Sequence, residues 1–581
     1  MTPTRIIQRW DRLKADRGPF EALWQELGDY LRPLRAEFTT RRGPGDKRYA
    51  KVFDSTPLLA ADNFAGGIYG MMTNPANRWF SLRLADDALN DFEPVRDWLY
   101  DVESRLLHSF GPQISRFYNV LPGLYADLAV FGTSIFYSEE IEGAARIGDY
   151  ARPLAECVIA ENQYGEIDTV YRRFTLEARN ALAMFPETLS ASARKLADKE
   201  PFAPVCFIHC VEANDEYSGT GNMLDAADRP YVSIYVEEQE KNEVSRKGYY
   251  EFPYQVPRWA QAAGEVYGRG LGEATLADVK TLNQQSRTAL VSAQKAADPP
   301  LAAPNEGVIR VARTYPGGIT YGAIDANGNM LLRPLYEGGN PQLTLEMMEQ
   351  RRQSIREGFY FSLMQMVGTP DMTATEWIGR QEEKLRLMGP NLGRIQSEFL
   401  SPLIKRRFGM LSRARMLPPP PPEIQKLGLT IEYVSPLAKA QMAGEAQSIV
   451  RLYQSLMPIA QADPSVLDNV DHDKAARALA RGYAVPAPIL RGSKEVDDIR
   501  NERSQSQQQQ AMMGGGQTMA DIATKVARAG KDAAQAHQAQ SASGQGTGAG
   551  VGAPGINAAA IGQSFMALRN ALKGSAGASA G

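Results

Sequence analysis

The spacing of apolar residues changes period several times along this 581-residue chain. Over 4–31, Ile7, Trp10, Leu13, Phe20, Trp24, Leu27 and Leu31 keep helical spacing of about three to four, which predicts an amphipathic helix. A basic loop containing Gly43, Pro44 and Gly45 follows. At 54–72, Asp54 or Ser55 is placed to cap a helix whose small residues suit close packing. Alternation at 78–84 predicts a strand, and 91–110 and 117–131 predict two more helices, followed by a further strand. Between 151 and 259 the pattern is mostly that of strands. They are expected at 169–174, 205–212, 231–237 and 248–254, interrupted by helices at 176–185 and 188–197.

Helical spacing returns at 272–298, where Leu276, Val279, Leu282, Ser286, Ala289 and Ala293 form one stripe. Pro299 and Pro300 stop this helix, which spans roughly 38 Å. A Gly/Pro-rich insert at 301–341 carries short strands at 308–311 and 330–333, and a helix at 343–364 returns. Two long helices flanking a small β module predict a stalk with a head at its tip. A polar loop at 367–373 opens a helix over 374–416, expected to kink at Gly389-Pro390 and Ser401-Pro402. Its apolar face is Met388, Leu392, Ile395, Phe399 and Leu403. Pro418 to Pro422 reads as a stiff spacer, and helices follow at 438–457 and 473–481. Beyond Asp498 the chain turns to Gln-, Gly- and Ala-rich low complexity, too poor in apolar residues to fold alone. Segments 518–540 and 558–572 there are weakly amphipathic. The fold class is α+β, and the length implies three or more structural units.

Hydrophobic residues make up 43% and charged residues 23%, an ordinary balance for a globular protein. The net charge of −3 lacks the basic footprint of a sequence-reading DNA-binding domain. Three cysteines fit a reducing compartment. The N-terminus lacks a signal-peptide apolar run, and no stretch is long and apolar enough to predict a membrane span. Cys206-Phe-Ile-His209-Cys210 suggests a metal, but on a strand both thiols face away from His209, so buried small residues are the better reading. Asp471-His472-Asp473 reads as a helix start rather than an acid/base cluster. Gly268-Arg-Gly-Leu-Gly272 lacks Walker spacing and reads as a left-handed turn entering a helix. Histidine is scarce (His108, His209, His472, His537), which also argues against an enzyme. No cofactor is expected.

Lys280, Arg287 and Lys295 share roughly one face of the 272–298 helix, Arg352 and Arg356 lie at i, i+4, and Arg380 and Lys384 repeat that spacing. They read either as a solvated face balanced by Glu346, Glu349, Glu382 and Glu383, or as sparse charges facing a phosphate backbone. One chain supplies few such charges; a symmetric ring would multiply each into a collar.

Several segments then carry a specific resemblance. They are D-S-T-P-L-L-A-A-D-N-F-A at 54–65, N-R-W-F-S-L at 77–82, F-G-T-S-I-F-Y at 131–137 and V-P-R-W at 256–259. G-E-V-Y-G-R-G at 264–270, M-T-A-T-E at 372–376 and Y-V-S-P-L-A at 433–438 continue it. The chain resembles, over 1 to about 490, the portal (head-to-tail connector) proteins of short-tailed bacteriophages with double-stranded DNA. The resemblance implies a homo-oligomeric ring of about twelve subunits at one capsid vertex. It implies a wing at 1–271, a first stem helix at 272–298, a clip at 299–342 and a second stem helix at 343–366. It further implies a tunnel loop at 367–374, a long wing helix at 375–436, a crown at 437–500 and a low-complexity tail at 501–581. The tunnel-loop residues are then Gly368, Thr369, Pro370, Asp371, Met372 and Thr373. The implied partners are DNA passing without sequence specificity, the terminase large subunit, the major capsid protein and scaffold, and tail adaptor proteins. The implied location is the virion, with the host cytoplasm during assembly. The alternatives are a capsid or scaffold component without a channel and a DNA-processing enzyme.

Overall fold

The computed structural model describes residues 2–84, 86–90, 92–141, 146–217, 225, 228–302, 313, 315–335, 341–364, 388–424, 429–432, 436–483, 485, 489–492, 495–508, 524–525, 527–528 and 531. Residues 1–492 form one compact unit and 493–581 a second. The described part of the second unit includes a helical run at 495–508. The first unit does not divide into the several units expected from length, because α1 (Pro3–Leu31) reaches two separate cores. Ile6 and Trp10 pack on one face of a sheet, whereas Trp24, Leu27 and Leu31 enter the main helical core.

That main core also holds α2 (Thr56–Met72), α4 (Glu93–Ser109) and α5 (Phe117–Phe131). β1 (Ser81–Leu84) and the short α3 (Asp87–Asn90) lie between α2 and α4. After α5 the chain forms β2 (Ile135–Ile141) and β3 (Arg146–Arg152), which pair antiparallel. Next come β4 (Cys157–Glu161), β5 (Ile167–Glu177), β6 (Pro204–Ala213), β7 (Tyr231–Glu237) and β8 (Asn242–Tyr249). These five make an antiparallel sheet in sequence order. Because side chains alternate, each strand serves two cores. Tyr171, Ile208, Cys210 and Ile234 meet Ile6 and Trp10. Val205 and Phe207 face the opposite way, onto α6 (Ala178–Met184) and α7 (Ala191–Lys199).

The strand expected at 248–254 is instead two. β8 ends at Tyr249, and β9 (Tyr254–Gln255) joins the β2–β3 sheet. Pro253 between them has no N–H for a ladder, and Tyr137 and Tyr254 pack ring to ring at 4.6 Å on the second sheet. The returning helix also breaks. α9 (Pro341–Gly358) and α10 (Phe361–Met364) flank Tyr360, whose φ is +54°. Tyr360 and Phe359 both pack on Phe64, with centroids at 6.2 and 6.5 Å, so tertiary packing overrides helical propensity there.

Residues 388–395 (α11), the π turn Gln396–Leu400 and α12 (Ser401–Arg413) run in continuous succession. Pro390 lies within α11. The irregularity is a widened turn just before Pro402, which has no N–H to give to an α-helical ladder. The predicted apolar face is fully inside: Met388, Leu392, Ile395, Phe399 and Leu403 are all buried. Two arginines assigned no role from sequence dock α12 on the β2–β3 sheet. Arg406 donates to Ser138 O (2.9 Å) and Glu251 O (2.8 Å), and Arg407 donates to Asp149 Oδ2 (2.5 Å). β12 (Leu429–Glu432) pairs with β1, and α13 (Pro436–Ala462) and α14 (His472–Gly482) follow.

Candidate functional site

The site is built around α8 (Leu271–Ala297) and α9. α8 starts where the chain crosses the α5–β2 turn. Trp259 N–H donates to Gly132 O (2.8 Å), and Gly268 N–H donates to Thr133 Oγ1 (2.8 Å). The expected left-handed conformation falls on Gly132, with φ +78°, while Gly270 has φ −102°. The 268–272 glycines are therefore not a left-handed turn. Gly270 is needed for close approach: a Cβ there would lie 2.6 Å from both Ala129 O and Gly132 N. Arg258 clamps the same root. Its guanidinium donates to Glu161 (2.9 Å), Gly165 O (2.9 Å) and Glu398 (2.9 Å), and its N–H donates to Glu398 (2.8 Å). Glu398 belongs to the π turn, so the widened turn presents its carboxylate to the root of α8.

Along α8, the buried positions are Leu271, Gly272, Thr275, Val279 and Leu282, all in the first half of the helix. α9 returns alongside, burying Met348 and Ile355, and Arg351 donates to Asp278 (2.7 Å). At the far end β10 (Leu301–Ala302) pairs antiparallel with β11 (Arg333–Pro334). The expected strand at 330–333 is shorter and shifted: Met330 makes a single bridge with Ile324, around an Asp325–Asn329 turn. The strand expected at 308–311 lies outside the described residues. Large apolar side chains stay exposed over this end, among them Leu290, Val291, Leu345, Tyr321 and Leu335.

The predicted basic residues sit in different surroundings. Lys280 pairs with Glu26 of α1 at 2.5 Å, a hydrogen bond that raises its pKa. Arg287 lies over the Phe53 ring at 5.6 Å. Arg352 donates twice to Asp54 Oδ2, at 3.1 and 2.9 Å, and Arg356 pairs with Glu349 at 3.2 Å. Lys295 is exposed and has no ion-pair partner among the described residues. Gly368, Thr369, Pro370, Asp371, Met372, Thr373, Arg380 and Lys384 lie outside the described residues. Sequence reasoning missed Asp54 as more than a cap, and it missed Asn283. Asp54 accepts from Thr56 N–H (2.9 Å) as a capping residue would, yet it also receives Arg352. Burial would raise this carboxyl, but the Thr56 and Arg352 hydrogen bonds outweigh it and lower the pKa.

The remaining candidates are structural. His209 faces away from Cys206 and Cys210 as the alternation required, stacks on Tyr235 at 4.0 Å, and has ring nitrogens 3.0 Å from Tyr254 Oη and 2.9 Å from Ser233 Oγ. Burial lowers its pKa well below the usual range. Asp471 accepts from the Asp473 and Lys474 N–H groups, capping α14. Among the described residues no group of three or more His, Cys, Asp or Glu could hold a metal, and no helix is long and apolar enough to cross a membrane.

Among the described residues, helices and sheets form the core, and the α8–α9 pair extends beyond it. Residues 3–490 match the model of the bacteriophage head to tail connecting proteins, and the chain belongs to that family. It is 29% identical over 528 residues to the portal protein of Salmonella phage epsilon15, covering 89% of this chain and 94% of that one. It is 31% identical over 543 residues to the probable portal protein of Bordetella phage BPP-1, covering 90% and 94%. A chain from the virion of a native gene transfer agent particle overlaps 71% of this chain and 91% of its own at 11% identity and a TM-score of 0.33, too loosely to bear on the fold. The family's function is that of the portal at the capsid vertex, and its members are structural rather than enzymatic.

Proposed function

We propose that this chain forms a closed ring of about twelve subunits in which α8 and α9 line a DNA channel. The observation that carries this reading is the uneven burial of the helical pair. Leu271, Val279 and Leu282 are held in the core, while Leu290, Val291, Leu345 and Met347 are exposed. A single subunit leaves this apolar surface in water; a neighbouring copy covers it, at about 25 cal/mol per Å² removed from water. In this reading 1–271 is the wing, 272–298 and 343–366 are the stem, and 299–342 is the clip that docks the terminase large subunit and later a tail adaptor. The 367–374 loop reaches toward DNA, 375–436 returns through the wing, and 437–500 is the crown, with the major capsid protein and scaffold around the rim. Assembly takes place in the host cytoplasm.

Duplex DNA presents one charge per about 1.7 Å, so the stem faces on the order of twenty phosphates. Lys280, Arg352 and Arg356 are already paired with Glu26, Asp54 and Glu349, leaving sparse free cations on the helical pair. Weak, sparse contact suits a channel through which DNA slides. Electron microscopy of the purified protein, with native mass spectrometry, tests the reading. Rings with a central channel near twelve times 63.8 kDa are expected. A compact oligomer without a channel would return the chain to the capsid or scaffold alternative.

A further inference from the structure

Residues 51–54 touch four helices at once. Lys51 reaches back to Asp29 of α1 with Nζ at 2.6 Å. Asn283 of α8 grips the loop by its backbone: its Nδ2 donates to Lys51 O (2.8 Å), and its Oδ1 accepts from Phe53 N–H (2.7 Å). Asp54 Oδ2 takes both Nε and Nη2 of Arg352 from α9, while its Oδ1 caps α2 through Thr56. The Asp54 side chain is 8% exposed and that of Arg352 27%, so this pair is shielded beyond an ordinary surface ion pair. The contacts are two-sided: one short loop holds α8 chiefly through the Asn283 amide, with a longer Ser286 Oγ–Asp54 Oδ2 hydrogen bond (3.5 Å) and Arg287 over Phe53, and holds α9 through a guanidinium. Both are directional, and Asn283 follows Leu282, where the buried seam of α8 ends.

We infer that Asp54, Asn283 and Arg352 are positioning residues, forming a strut that fixes the inclination of the α8–α9 pair against the body. The inference rests on the channel reading above, because inclination matters only if the pair lines a bore. In a ring, the same tilt repeats in every subunit and sets the width of the passage. The strut also ties that tilt to α1 and α2, so a displacement of the wing is passed to the stem through this loop. Beyond Leu282 no residue of α8 is fully buried, and there this polar brace adds to the ties Lys280–Glu26 and Arg351–Asp278.

The test uses full-length portal supplied in trans to a phage lacking its own. Arg352→Gln removes the α9 arm and leaves the Asp54 cap intact, Asn283→Ala combined with Ser286→Ala removes the polar α8 arm while Arg287 stays over Phe53, and Arg352→Lys keeps the charge with part of the hydrogen bonding. The wild-type ring is imaged first; a wild-type oligomer without a channel would sink the channel reading itself. Given wild-type channels, rings of both disrupted variants are expected to form, with a broadened bore by electron cryo-microscopy. The yield of DNA-filled particles should fall at least about tenfold, with substantial recovery in Arg352→Lys. Normal bore and filled-particle yield in both variants would overturn the inference. So would failure of both to form rings, which would assign these residues to folding alone.

Discussion

A methyl group placed on Gly270 is the sharpest probe of how the helical pair is rooted. An added Cβ would meet Ala129 O and Gly132 N at 2.6 Å and Val130 O at 2.9 Å. All three opposing atoms are backbone, from the last turn of α5 and its cap, so no side chain can swing aside. Overpacking of this kind costs about 1–3 kcal/mol, and rigid opposing groups place Gly270→Ala at about 3 kcal/mol or above. Gly123→Ala, within the same α5, provides the opposite sign. The nearest atom to its Cβ would be Arg32 Nη2 at 3.8 Å, an ordinary contact. Replacing a helical glycine by alanine there should stabilise by about 0.8–1 kcal/mol. Urea denaturation followed by tryptophan fluorescence measures both, since Trp259 is buried at this root. The reasoning fails if Gly270→Ala lies within about 0.5 kcal/mol of the parent protein, or if both variants shift stability in the same direction.

Arg407→Leu leaves the fully buried Asp149 carboxylate with a hydrogen bond from Ser138 but without its counter-charge, and should destabilise by about 3–5 kcal/mol in urea. Because Arg407 Nε and Nη1 are themselves without hydrogen bonds, the double variant Arg407→Leu/Asp149→Leu should recover at least half of that loss. Glu103 gives a pH test. Burial raises its carboxyl pKa to about 7 against the lowering influence of Leu82 N–H and Arg78. Its folded pKa lies above the unfolded value of 4.5, so its contribution to stability is full below about pH 4.5 and is lost as pH rises through 7. Glu103→Gln should therefore gain on the parent protein as pH rises from 5 to 8, by on the order of 3 kcal/mol; a pH-independent difference would contradict this. On α8, Lys295→Gln should alter the salt dependence of DNA retention in filled particles more than Lys280→Gln, whose ammonium is engaged by Glu26. Equal responses would mean that this pair opens in the assembled ring.

The long periodic segments were legible because each satisfies one local rule for many residues. Thr4 to Leu31 and the 272–298 stripe correspond to α1 and α8 within a residue or two at each end. Tyr231 to Glu237 is β7 as read. What escaped was decided by partners distant in sequence. Nothing around Tyr360 predicts φ +54°, with which its ring packs on Phe64, nearly three hundred residues earlier. The glycines at 268–272 were visible, but their reason was not, since the backbone they approach belongs to residues 129–132. The same limit hid Arg17. On a helical wheel it is one charge among several, yet it is fully buried and its guanidinium donates to the carbonyls of Leu154 (2.8 Å), Ala155 (3.1 Å) and Cys157.

Charge spacing named Glu349 as a balancing carboxylate, which pairs with Arg352 and Arg356, but left the other partners open, and the reason is energetic. An i, i+4 pair or a shared helical face says where cations can point, but an exposed cation gains only about 0–1 kcal/mol from any one carboxylate. A modest local arrangement therefore decides its partner. Glu26 takes Lys280 and Glu349 takes Arg356, neither of which their spacing forbids. Arg352 differs in kind. Asp54 is largely shielded, capped onto α2 and met by two guanidinium nitrogens, so the pair behaves as a fixed joint rather than a surface contact. Arg352, which sequence spacing offered either as a solvated charge or as a DNA contact, is bonded inside the subunit to the residue that caps α2. In the channel proposed above, holding the wall in place is the more consequential use of that charge.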